Sequence, residues 1–103
     1  MKMSKTCQRL NNKLLTVLAQ INEEAKKLNG FSHVSHTVQF DYFPSSLLVL
    51  CHFDDEQGLH VAQENHTEIQ LQKLLHKLLL KKGIVLKDPK INLKLKGPNS
   101  TDL

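Results

Sequence analysis

The sequence predicts an α+β protein: two layers in the order α-β-β-β-α, both helices on one face of an antiparallel sheet, then a C-terminal extended segment or extra strand. Three observations lead there. Apolar residues between positions 10 and 28 recur at helical spacing, positions 34–42 alternate with period two, and a second helical stripe runs through 71–79. Each helix has a single apolar side, so the economical arrangement packs both against one sheet. At 103 residues one core can form, since a chain of about 100 residues buries roughly two thirds of its unfolded surface. Residues 1–96 are therefore expected to make a single domain.

In the first helix, Leu10, Leu14, Val17, Leu18, Ile21, Ala25 and Leu28 share one face. Ser4 or Thr6 can cap its start, and Gly30 can take the left-handed conformation that ends it, which bounds the helix at 5–29. Those apolar positions supply on the order of 10 kcal/mol of burial before entropy is subtracted. Lys5, Arg9 and Lys13 line the opposite side.

Val34, His36, Val38, Phe40 and Tyr42 then alternate with Ser35, Thr37, Gln39 and Asp41, the pattern of a strand buried on one face. Phe43, Pro44, Ser45 and Ser46 carry turn chemistry, so a hairpin into a strand over 47–53 is expected. After the acidic turn at 54–58, positions 59–63 read as a third strand. Asn65, His66, Thr67 and Glu68 have the side chains of a capping box and open the second helix. Leu71, Leu74, Leu75 and Leu78 form its stripe, Leu79 widens it, and Gly83 ends it with Ile84 folding back onto Leu79. Past a turn at Lys87, Asp88 and Pro89, the alternation of Ile91, Leu93 and Leu95 predicts a last strand, at an edge or added to a partner. Residues 97–103 are polar and read as a disordered tail.

A turn at Pro44 and Ser45 sets a register. Tyr42, Phe40, Val38 and His36 face Leu47, Val49, Cys51 and Phe53 on the inner side, while Asp41, Gln39 and Thr37 face Leu48, Leu50 and His52 outside. Pairing Phe53 with Leu59 sets His60 against His52 and Ala62 against Leu50. Leu48, Leu50 and Ala62 thus form an apolar patch ringed by polar groups, and with His52 and His60 they make the expected protein interface.

No metal or cofactor is expected. His33 and His36 point to opposite faces, no HExxH or Cys/His zinc spacing occurs, and His52 with His60 is the one convergent pair. Cys7 and Cys51 are too far apart for a disulfide framework and read as reduced thiols. The carboxylates of Asp54, Asp55 and Glu56 have no positioned base, and no GxSxG, P-loop or GxGxxG sequence is present, so the chain is expected not to be an enzyme. The longest apolar run, 47–51, is far too short to span a bilayer, and the polar Gln8, Arg9, Asn11, Asn12 and Lys13 interrupt any secretory segment. A cytoplasmic protein without a membrane partner is the expectation.

Charge is segregated along the chain. Positions 28–68 hold six acidic residues and no Lys or Arg, whereas positions 69–101 hold eight lysines and one aspartate, within a net charge of +4. An acidic sheet beneath a positive helical side follows, and a positive field attracts polyanions. With a single arginine, sequence-specific readout is disfavoured. Phe31, Phe40, Tyr42 and Phe53 are assigned to the core, leaving Phe43 for stacking. The α-β-β-β-α order resembles that of double-stranded-RNA-binding domains over residues 5–82. That family opens its second helix with a lysine cluster, where this chain has Glu64, Asn65, His66, Thr67 and Glu68, so RNA binding is not carried over. The leading expectation is a small non-enzymatic interaction domain, protein-binding or homodimeric through the outer sheet face and the C-terminal strand. The alternative is a nonspecific nucleic-acid or ribosome-associated binder using Lys73, Lys77, Lys81, Lys82, Lys94 and Lys96.

Overall fold

A computed structural model describes residues 5–98. The chain forms α1 (Lys5–Ala25), β1 (Phe31–Thr37), a 3-10 turn (Phe40–Tyr42), β2 (Leu48–Phe53), α2 (Glu56–Glu64), α3 (Thr67–Lys81), α4 (Pro89–Asn92) and β3 (Leu93–Lys96). The α+β class holds, but the order of elements is not that of double-stranded-RNA-binding domains. The sheet is mixed rather than antiparallel: β2 is central, β1 pairs with it antiparallel and β3 pairs with it parallel. A parallel neighbour needs a long crossover, which α2, α3 and α4 provide.

The predicted third strand at 59–63 is the helix α2. Asp55 decides the matter locally, because its carboxylate accepts from the amides of Gln57 and Gly58 at 3.2 and 3.3 Å and so satisfies two orphan donors of a helix start. Gly58, Leu59 and Ala62 then form the buried side. The α2 N-terminus also abuts the α1–β1 connection, where a Cβ at Gly58 would sit 2.4 Å from the Asn29 carbonyl oxygen.

The first helix ends at Ala25, not 29, because its last turns tighten: the amides of Lys27 and Leu28 reach back only three residues. The first strand runs 31–37 rather than 34–42. Beyond Thr37 the ladder gives way to a loop whose neck is closed by Ser46, whose hydroxyl donates to the Gln39 carbonyl at 2.7 Å and accepts from its amide at 2.9 Å. Tyr42, expected in the core, is 67% exposed at this loop, while Phe43 packs against the core and Phe40.

The helix expected to open at Asn65, α3, ends as predicted. Gly83 has φ +82°, its amide donates to the Leu80 carbonyl and that of Ile84 to Leu79, both at 2.9 Å, which is the Schellman arrangement. Its start differs: His66, with φ 60°, precedes the helix without a side-chain cap, and Asn65 closes α2 instead. The segment predicted as one strand through 91–95 begins as α4, capped by Asp88 with Pro89 in its first turn. Ile91 is exposed and Asn92 buried as a result.

Leu14, Val17, Leu18 and Ile21 of α1 meet Leu71, Leu75 and Leu79 of α3 and the Val49, Cys51, Phe53 and Leu93 side chains of the sheet in one core. Two buried amides pin the C-terminal strand to it. Gln72 donates to the Leu93 carbonyl at 2.9 Å, and Asn92 donates to that of Leu47 at 2.7 Å. Gly97 packs on Leu59 and Glu56 of α2; the rest of the predicted tail, apart from Pro98, lies outside the described residues.

Candidate docking face on the sheet

Strand parity decides what the sheet presents away from the core. Val49, Cys51 and Phe53 point inward, so Leu48, Leu50 and His52 share the other face. The pairing across it differs from the prediction: Thr37 faces Leu48, Ser35 faces Leu50 and His33 faces His52, a displacement of four positions along β1. An even displacement preserves parity, so the three β2 residues keep their expected face while their neighbours change. On the other side of β2, Lys94 lies beside Leu50 and Lys96 beside His52. Leu48 and Leu50 belong neither to the core nor to the half-buried apolar side chains packed on it.

Two of the expected interface residues are elsewhere. Ala62 is buried, 4% exposed, in the α2 contact with the core. His60 is exposed on α2, where its Nε2 lies 2.9 Å from the Glu64 carboxylate. Neither approaches His52 by strand pairing, because the segment that carries them is helical, so the convergent histidine pair does not form.

His52 is held from both sides of its ring. Its Nε2 lies 2.7 Å from the Ser35 hydroxyl, and its plane stacks on His33 at 4.3 Å with 8° between the rings. Burial, then the neighbouring His33 and then Lys96 lower its pKa from the ordinary 6.5, so the ring favours its neutral form. A neutral ring accepts the Ser35 proton at Nε2 in one tautomer and donates to the hydroxyl in the other, and the contact fits both. His33 and Ser35 enter the face through their odd-numbered positions in β1, a signal that becomes readable only when the register is known.

The expected polyanion set divides between two surfaces. Lys94 and Lys96 stand on the sheet face, whereas Lys73, Lys77, Lys81 and Lys82 lie on or just after α3, exposed on the side turned from the core. Lys13 of α1 joins the second group, its Nζ donating to the Lys82 carbonyl at 3.5 Å. The acidic residues expected on the sheet are not in it: none of the three strands contains Asp or Glu. They occupy the turns and helices, at Asp41, Asp54, Asp55, Glu56, Glu64 and Glu68.

The two outer strands treat their free edges differently. On β3, the Leu95 amide donates to the Glu68 carboxylate of α3 at 3.0 Å. On β1, among the described residues, no hydrogen bond beyond the ladder to β2 reaches a backbone group of residues 32–37.

Cys51 offers no chemistry at this face. It is fully buried in the core, where burial and then Glu68 push its thiol up to about 12. No group of three or more potential metal-ligating side chains gathers among the described residues. None of the described helices is long and apolar enough to cross a membrane. The chain matches no protein-family model, no curated protein and no solved structure.

Proposed function

We propose that this chain is a small non-enzymatic interaction domain that binds a partner protein through the open face of its sheet. The observation that carries the reading is the exclusion of Leu48 and Leu50 from the core on a central strand. Both are half-buried rather than exposed, and apolar side chains outside the core at the centre of a sheet, with polar groups around them, have the anatomy of a docking surface. Leu48 and Leu50 supply its apolar centre. Ser35, Thr37 and the His33–His52 stack form one rim, and Lys94 and Lys96 form the other. With no carboxylate in any strand, the exposed Lys94 on the rim favours a partner surface that carries Asp or Glu.

A second reading, nonspecific nucleic-acid binding, draws on the same two lysines. It is the weaker one because the other four lysines of the expected set lie on α3 and its end, so no single surface gathers all six.

Retention from cell extract at physiological salt, with and without nuclease treatment, tests the choice, with three forms of the chain immobilised side by side. The wild type and Leu15→Glu, which alters an equally apolar but remote exposed position on α1, retain the same proteins, and Leu50→Glu loses them. Equal retention by Leu50→Glu removes the sheet-face reading. Retention that vanishes with nuclease or falls steeply with salt transfers the face to nucleic acid.

A further inference from the structure

We infer that the free edge of β1 pairs with the β1 of a second copy, antiparallel about a two-fold axis, to make a continuous six-stranded sheet. An unpaired strand edge presents a row of N–H and C=O groups that a strand from another chain can satisfy, and folded proteins block such edges when pairing is unwanted. The β3 edge is blocked here: Glu68 occupies the Leu95 amide, and lysines flank that residue at Lys94 and Lys96. The β1 edge carries no such carboxylate or lysine, and the one irregularity in its ladder, a register shift between Phe31 and His33, is confined to its first residues. Its seven residues, Phe31–Thr37, include no proline, lysine or carboxylate, and its backbone meets no blocking side chain among the described residues.

The occupant follows from how each candidate would leave the assembly. A second β1 closes the system, because the combined sheet ends on two β3 strands, both sealed by Glu68. An isologous pairing of this kind stops at two subunits. Charge is compatible as well: β1 bears no lysine or carboxylate to repel its own image, and the lysines of β3 stand two strands away from the two-fold axis. Centred on Val34, the pairing sets Val34 against its own copy on the core side and His33 against Ser35 of the second copy on the open side. Ser32 and Thr37, both exposed, then lie beside His36 and Phe31 of the second copy. The expectation that the C-terminal strand extends a partner's sheet is thereby reassigned to the opposite edge.

Light scattering across a ~100-fold dilution series, paired with amide hydrogen exchange at both ends of it, tests the inference. The expected mass is that of two chains at high concentration, falling toward one on dilution. Outward amides of residues 32–37 should exchange faster in the dilute sample while those of α1 and α3 do not change. The double variant Ser32→Lys with Thr37→Lys, at exposed positions that leave the core untouched, should weaken self-association at least tenfold. Leu50→Glu should leave it intact, so failure here and failure of the sheet-face reading are separable. A monomer at every concentration overturns the inference, as does a dimer whose β1 exchange is independent of concentration or which Leu50→Glu dissociates.

Discussion

Glu68 on α3 accepts the amide of Leu95 on β3 at 3.0 Å, a contact between residues 27 positions apart that joins the helical part of the crossover to the strand it delivers. The same carboxylate is unavailable for the capping box its neighbours Asn65, His66 and Thr67 suggest. A charge-assisted bond to a backbone donor contributes about 1.5–3 kcal/mol, more than an exposed reach back to a helix start, so the tertiary contact wins.

Glu68→Ala should therefore cost about 1.5–3 kcal/mol in urea unfolding and expose the β3 edge, with faster aggregation on concentration. Glu68→Gln keeps an oxygen acceptor and should retain most of the stability. Equal losses from both variants would mean that the carboxylate acts through charge alone.

Asn92 sits 2% exposed with its Nδ2 donating to Leu47 at 2.7 Å and to Pro44 at 3.3 Å. Removing the donor takes the side-chain partner from the buried Leu47 carbonyl at the point where β3 enters the sheet, whereas the Pro44 carbonyl keeps the Leu47 amide at 3.1 Å. Asn92→Ala should lower the unfolding free energy by about 1–3 kcal/mol, measured by the shift in urea midpoint at unchanged slope. A midpoint that does not move would show that the β3 entry is held by packing instead.

At Gly58, any side chain meets backbone. The Asn29 carbonyl oxygen lies 2.4 Å from the position of a Cβ, and its carbon 3.1 Å away. Although Ala is the better helix former by up to ~1 kcal/mol, the clash forces α2 away from the α1–β1 connection. Gly58→Ala should thus destabilise by about 1–3 kcal/mol. Stabilisation by the substitution would mean that α2 slides freely.

What was legible in the sequence followed periodicity and parity. The α1 and α3 stripes needed only spacing, the Gly83 terminus only a glycine after the last periodic residue, and the face of Leu48, Leu50 and His52 survived a register displaced by four because the displacement is even. What was not legible depended on competition between short signals. In positions 59–63 Leu59 and Val61 alternate like a strand, and only the Asp55 cap and the Leu59–Ala62 spacing favour the helix that forms. The parallel placement of β3 rests on Gln72, Asn92 and Glu68, polar side chains whose partners lie 18 to 48 residues away and leave no local pattern. For the same reason His60 and Ala62 were grouped with a sheet they do not join.

The His33–His52 stack gives the sheet face a pH dependence with a definite sign. Burial, His33 and Lys96 lower the His52 pKa from 6.5, so below pH 6.5 the unfolded chain binds a proton that the folded ring resists. Stability therefore rises with pH across that window: the contribution of a neutral His52 is complete above 6.5 and is lost as pH falls toward the lowered folded value. Because His52 remains partly exposed, the effect is a slope and not a collapse. His52→Asn removes this titration while leaving the other histidines in place. The difference in urea midpoint between wild type and variant should shrink as pH is taken from about 7.5 to about 5.5. The His52 ring protons should also titrate below the ordinary histidine range by NMR. A midpoint difference that stays flat, or that grows as the solution is acidified, would mean that protonated His52 is accommodated on the face, and the neutral-ring hydrogen bond to Ser35 would have to be abandoned.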